Sequence, residues 1–169
     1  MVRIRLARES DIPGILDIYG PYILNTPITF EYTVPTTEDF TNRFRTITAV
    51  GPWLVAEEDG TLLGYAYLDR AFERMAYRWA ADLSVYLRPE AAGKGLGRVF
   101  YMFHEAMGYR LTAVLPDCGY KLGRWHGVHW YEKRLCAPGD PGAFPKAAPD
   151  MDWSALCLDG VPDGWEVAL

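Results

Sequence analysis

Apolar residues in the first half of the chain fall into strand-like and helix-like rhythms by turns. Arg3-Ile4-Arg5-Leu6 alternates and predicts a short strand. Ile12, Ile15, Leu16, Tyr19 and Ile23 recur on one helical face, with Ser10 or Asp11 as the cap and Pro13 in the tolerant first turn. Ile28-Thr29-Phe30-Glu31-Tyr32-Thr33 predicts a second strand. Thr36-Thr37-Glu38-Asp39 reads as a capped start, and Phe40, Phe44 and Ile47 give the following helix its apolar stripe.

A hairpin comes next. Trp53 to Ala56 and Leu62 to Leu68 flank Glu57-Glu58-Asp59-Gly60, and Asp-Gly is a strong signal for a tight turn. Residues 70–78 form a polar, aromatic-rich connection to another strand, Ala80 to Leu87. After Gly108, Arg110 to Leu115 predicts a strand, with Val128 to Glu132 as its antiparallel partner. From about Cys136 the chain turns rich in Pro, Gly and Ala and predicts irregular structure, before apolar residues return at the end. We therefore divide the chain into a domain at 1–135 and an extension at 136–169 that packs on the domain or on a dimer partner. The order of elements predicts an α+β (α/β layer) fold and not a βαβ array.

The 169 residues are enough for one domain with a real core, and half of them are apolar. A net charge of −5 argues against a general nucleic-acid binder and for a small-molecule partner. No apolar run reaches the length of a membrane span, and the N-terminus lacks a signal-peptide core, so a cytoplasmic protein is the expectation. Cys118, Cys136 and Cys157 are too few and too widely spaced for a disulfide framework or a zinc knuckle, and read as reduced thiols.

The most unusual stretch is Arg88-Pro89-Glu90-Ala91-Ala92-Gly93-Lys94-Gly95-Leu96-Gly97-Arg98, which places three glycines in five positions between a strand and a helix start. Backbone N–H groups at a helix start carry partial positive charge, and glycine lets a phosphate approach them. One reading is a pyrophosphate cradle. The other is a turn in which glycine serves the backbone alone. The spacing fits neither a Walker loop nor a dinucleotide fingerprint.

RLARESDIPGILDIY, ITFEYT, PWLVAEEDGTLLGYAYLD, LSVYLRPE followed by GKGLGR, HEAMGY and CGYKLGRWHGVHWYEKRL together resemble the GNAT superfamily of N-acetyltransferases. Within it they are most similar to the phosphinothricin acetyltransferase branch, which includes methionine sulfone and sulfoximine acetyltransferases. The resemblance covers nearly all of residues 3 to 134. It implies a GNAT fold, a mixed, mostly antiparallel sheet flanked by helices. It implies acetyl-CoA as co-substrate, no metal, and a homodimer. The cradle would be the backbone amides of Gly93, Lys94, Gly95, Leu96, Gly97 and Arg98, holding the CoA pyrophosphate. Val85, Tyr86 and Leu87 would pair their backbone with the pantetheine arm, a form of β-augmentation.

Asp82 interrupts an apolar strand. Read alone it is an outward-facing carboxylate; the branch has Glu there, used as a general base, often through water. His104 matches the branch's second catalytic residue, and a histidine shuttles protons near neutral pH. The connection before Asp82 supplies the branch's substrate contacts, here Arg74 and Tyr77, with Arg suited to a bidentate grip on an anion. Phe30, with Tyr32, would shape the pocket wall. His126 would line the pocket or simply start a strand. His126 and His129 fall on opposite strand faces, which argues against a metal site. Lys121 and Arg124 are further anion candidates.

The chain departs from the resemblance after Phe103. A helix tail, a strand and the next helix start, on the order of two dozen residues at average element lengths, are missing before His104. Three explanations compete: residues skipped by the sequence as read, a true deletion, or compensation by the C-terminal tail or a second subunit. A sheet lacking that strand would leave costly bare edges, which favours the first. The expected function is acetyl-CoA-dependent acetylation of the α-amine of a small amino-acid-like substrate, possible examples being phosphinothricin and methionine sulfone. A non-catalytic acyl-CoA-binding relic of the fold is the alternative. Peptide N-acetylation is disfavoured by bulky Phe30 and Tyr77.

Overall fold

β1 (Arg3–Leu6) forms where the alternation predicts it, and pairs antiparallel with β2 (Trp53–Glu58), Arg3 standing against Glu57. The computed structural model describes residues 2–89, 107–137, 139, 142–153 and 158–159. Two compact units divide the chain: Met1–Tyr19 with Pro35–Ala91 and Gly142–Leu169, and Gly20–Val34 with Ala92–Pro141.

In the first unit, β2 and β3 (Thr61–Arg70) make the predicted hairpin. Asp59 and Gly60 both take positive φ, 50° and 79°. That is the left-handed pair that a two-residue turn between right-twisted strands requires. β4 (Ala81–Leu87) adds to β3, and β7 (Leu158–Asp159) adds to β1. The order is β4-β3-β2-β1-β7, and every described pairing is antiparallel.

Helix α1 (Ile12–Asn25) begins directly after Asp11, where the candidate caps put it, but Asp11 does not act as its N-cap. Glu9–Asp11 forms a 3-10 turn instead, and the Asp11 carboxylate accepts from the Arg8 N–H at 2.7 Å. Asp11 thus caps the turn and not the helix. It is also tied to Arg5, which donates to Asp11 at 2.7 and 2.9 Å and to Glu57 at 2.7 and 2.9 Å. Helix α2 (Thr37–Thr48) starts as predicted, with Thr36 Oγ1 accepting from the Asp39 N–H at 3.1 Å. Its stripe of Phe40, Phe44 and Ile47 is buried. Phe40 and Phe44 bring their rings to 5.9 and 5.2 Å from Trp53, which is 1% exposed. Trp53, Val55 and Tyr65 alternate onto this covered face of the sheet, as a period of two demands. Burying each such side chain contributes about 1.5–3 kcal/mol.

The second unit holds the end of α1, where Tyr22 and Ile23 are buried, and a long hairpin. β5 (Arg110–Lys121) pairs with β6 (Arg124–Glu132), extending the two strands predicted there, with Leu115 against Val128. Leu122 and Gly123, at φ 50° and 78°, repeat the left-handed turn. Residues 28–33 do not form the predicted strand. Thr26 and Thr29 capture nearby backbone N–H groups with their hydroxyls, each at 3.3 Å, which draws the backbone out of an extended ladder.

Candidate active site

β4 carries four of the candidate groups, Asp82, Val85, Tyr86 and Leu87. It occupies the end of the sheet order, with β3 on its inner side. Asp82, Ser84 and Tyr86 alternate onto one face of it, and Leu83, Val85 and Leu87 onto the other. Tyr86 sets its ring 4.9 Å from Tyr19 and 5.2 Å from Tyr65, so it belongs to the aromatic cluster on the covered face of the sheet. At the exit of β4, Arg88 donates its backbone N–H to Leu63 O at 2.7 Å and its Nε–H to Leu62 O at 2.6 Å. These bonds hold the point from which the glycine stretch departs.

Asp82 is exposed and has Asp69 as its Cα partner on β3. Partial desolvation, together with the charge of Asp69, raises its carboxyl above the ordinary range. A carboxyl so raised is a better proton acceptor at neutral pH than an unperturbed aspartate.

The connection into β4 is a closed loop. Ala71 N–H donates to Ala80 O at 3.3 Å across its neck. Met75–Tyr77 forms a 3-10 turn, with Tyr77 N–H donating to Arg74 O at 2.9 Å and Ala80 N–H to Tyr77 O at 2.9 Å. This brings Arg74 and Tyr77 together around an open hollow of about 460 Å³ lined by Ala71, Phe72, Glu73, Arg74 and Tyr77. The Phe72 and Tyr77 rings lie 4.6 Å apart. The hollow therefore offers a guanidinium and a carboxylate beside aromatic faces.

Phe30 and His126 belong to the second unit. The Phe30 ring lies directly over Gly119; a Cβ at Gly119 would stand 2.3 Å from it. Gly119 pairs with His126 across the hairpin, so Phe30 and His126 share one neighbourhood. His126 Nε2 stands 3.0 Å from Lys121 O. Lys121 is 3% exposed and donates its Nζ–H to Thr29 O at 2.6 Å. Desolvation lowers its ammonium below the ordinary lysine range, against the opposing charge of Glu31. Lys121 thus fastens the irregular segment under Phe30 and is not an exposed anion contact. Arg124 is exposed at the start of β6.

His104 and the cradle residues Gly93 to Arg98 lie outside the described residues, as does the junction after Phe103. Among the described residues, no group of three or more His, Cys, Asp and Glu could hold a metal, and no helix is long and apolar enough to cross a membrane. Sequence reasoning missed Asp69, Phe72, Glu73 and the burial of Lys121. Only the loop residues carried a local signal, since they flank Arg74 directly. The other two depend on strand register and on a partner 92 residues away.

Comparison with known proteins converges on one family. A family model described as an acetyltransferase (GNAT) domain matches residues 4–103. A phosphinothricin N-acetyltransferase of Alcaligenes faecalis is 32% identical over 151 aligned positions, covering 72% of this chain and 77% of the relative. An L-methionine sulfoximine/L-methionine sulfone acetyltransferase of Pseudomonas aeruginosa is 33% identical over 166 positions, covering 78% and 94%. In both, the aligned length exceeds the covered part of this chain by about thirty positions, which the chain skips. The crystal structure of a phosphinothricin acetyltransferase from Sinorhizobium meliloti, in complex with acetyl-CoA, superposes with a TM-score of 0.70 at 31% identity, covering 75% of this chain and 84% of that one. The chain belongs to the GNAT family of acetyltransferases.

Proposed function

We propose that this protein transfers the acetyl group of acetyl-CoA to the α-amine of a small amino-acid-like substrate of the phosphinothricin or methionine sulfone/sulfoximine class. The observation that carries the reading is the hollow holding Arg74 and Tyr77 on the loop that leads directly into the strand of Asp82. Arg74 grips the substrate's carboxylate or phosphinate, and Tyr77 and Phe72 shape the space for its side chain. The names of the relatives, and the acetyl-CoA bound to the structural neighbour, support both halves of the reaction.

Acetyl-CoA supplies an activated thioester carbonyl to the site. Val85, Tyr86 and Leu87 stand on the strand at the sheet's end, where an extended pantetheine arm would run alongside. Gly93 to Arg98 would present amide N–H groups to the pyrophosphate. Asp82, through a bridging water, takes the proton from the substrate ammonium, and the neutral amine attacks the thioester. The C–N bond forms, the nitrogen sheds its second proton to solvent, the C–S bond breaks, and a protonated His104 supplies the proton for the leaving thiolate. Released CoA thiol, measured against phosphinothricin, methionine sulfone and methionine sulfoximine, tests the reading. A homodimer is part of it, supported by the exposed apolar side chains Leu111, Val114, Trp125 and Trp130 of the β5–β6 hairpin, and light scattering tests that part.

The skipped positions favour a second reading, an acyl-CoA-binding relic without turnover. The family match ends at Phe103, where the resemblance places the gap. Thermal stabilisation by acetyl-CoA with no CoA release would establish that reading. The intact mass of the natural protein tests the gap itself: 19.1 kDa for this chain, and more if the skipped segment is present.

A further inference from the structure

The loop that bears Arg74 and Tyr77 is held from outside by a residue far along the chain. Phe144 stacks on Trp79 with ring centroids 5.0 Å apart and an interplanar angle of 24°. The Arg78 guanidinium lies 5.3 Å from the centroid of the same ring. Trp79 and Arg78 are the last two residues of the loop before Ala80 closes its neck.

Phe144 is itself fixed to the core. Four residues on, Ala148 is buried and donates its N–H to Val50 O at 3.0 Å. Val50 donates its N–H to Ile47 O at 2.9 Å, and Ile47 is in the buried stripe of α2. The indole N–H of Trp153 donates to Ala148 O at 2.7 Å and closes the segment on itself. Pro149 sits in the 3-10 turn Ala148–Asp150 and stiffens it. The chain is thus fastened to the core at Ala148 through Val50, and four residues earlier Phe144 meets Trp79. All of these residues lie in the first unit.

The rest of the loop is held by its own 3-10 turn and the Phe72–Tyr77 ring contact, with no buried residue from 71 to 80. Phe72, Met75, Tyr77 and Trp79 are all exposed, and the hollow is open to solvent. Loops with so few buried contacts open locally at small cost. A ring stack and a cation–π contact at the loop's base suppress that opening.

We propose that Phe144 is a positioning residue for the substrate: by clamping Trp79 and Arg78 it keeps the 72–79 loop, and with it Arg74 and Tyr77, in the binding geometry. The proposal rests on the reading that Arg74 and Tyr77 grip the substrate. It makes the C-terminal segment part of the specificity machinery without giving it a contact to the reacting atoms.

The test is Phe144→Ala, with Phe144→Tyr and Arg74→Ala as companions, in the full chain. Two readouts are used. The first is limited trypsin digestion of the ligand-free protein, with the cuts after Arg74 and Arg78 followed by mass spectrometry. Phe144→Ala is expected to speed these cuts roughly ten-fold, because cleavage follows the population of the open loop. The second is steady-state kinetics. The KM for the amino-acid substrate is expected to rise several-fold while kcat and the KM for acetyl-CoA stay within about two-fold. Phe144→Tyr keeps the ring and should restore both readouts. Unchanged trypsin cuts and an unchanged substrate KM would overturn the proposal. So would a parallel loss in kcat and in both KM values with a lowered melting temperature, which marks general destabilisation. If Arg74→Ala leaves the substrate KM unchanged, the substrate-grip reading fails, while the trypsin rate still decides whether Phe144 clamps the loop.

Discussion

Asp69 and Asp82 stand directly opposite each other across β3 and β4, two carboxylates on one antiparallel pair. Like charges in that position repel, and the charge of Asp69 disfavours ionisation of Asp82. Asp82 is thereby raised, mainly by desolvation and further by Asp69. A base must be ionised to work, so activity should fall as pH drops through the Asp82 pKa, above the ordinary aspartate value of about 3.9. Asp69→Asn removes the repulsion and should move the acidic limb of the kcat/KM profile to lower pH. Desolvation persists, so the limb should stay above the unperturbed value. A limb that stays put or moves up would disconnect Asp69 from the base.

Asp82→Asn should lower kcat by about 10²–10⁴-fold, the usual yield of a positioned general base. Binding of acetyl-CoA, followed by its effect on melting temperature, should persist. Asp82→Glu should retain activity, since the longer side chain keeps the carboxylate. Equal loss in the Asn and Glu variants would point to a role in packing and not in proton transfer.

Arg74→Ala should raise the KM for the amino-acid substrate by about 10–100-fold, the cost of losing a charge-assisted hydrogen bond. Arg74→Lys should recover only part of this, because an ammonium lacks the planar fork that meets a carboxylate at two points. Full recovery by Lys would show that charge alone suffices. Initial rates over a range of substrate concentrations separate the cases.

Much of the first unit was legible because its signals are local. Asp59-Gly60 specifies its own turn, and Thr36 with Asp39 marks the start of α2 three residues away. The segment at 28–33 misled for a physical reason. Its alternation is that of a strand, but Thr26 just before it and Thr29 within it bind its backbone N–H groups, and Lys121 donates to Thr29 O from 92 residues away. Among the candidate groups, Asp82 and Arg74 are singled out by residue type and by the family resemblance. Asp69 opposite Asp82, the seat of Phe30 on Gly119 and the Phe144–Trp79 stack are all products of register and tertiary packing, which no local window contains.

Arg5 joins Asp11 and Glu57 in a largely buried set, with side chains 13%, 10% and 21% exposed. The hydrogen bonds from Arg5 hold the Asp11 carboxyl below its ordinary range, despite partial desolvation. A depressed folded pKa gives stability that is present above the unfolded value of about 3.9 and is lost as pH falls through the folded one. Asp11→Asn should therefore cost roughly 1–3 kcal/mol near neutral pH. The gap in melting temperature to the unsubstituted protein should narrow on acidification below about pH 4. A gap that is constant with pH would mean that the charge of Asp11 contributes nothing.

The central claim is acetyl transfer to a small amino acid by this chain, and the release of CoA thiol from acetyl-CoA tests it most directly. Release that depends on phosphinothricin, methionine sulfone or methionine sulfoximine, and that falls sharply in Asp82→Asn, is the predicted result. No release above background with any of these amines, from folded protein that acetyl-CoA still stabilises, would contradict it.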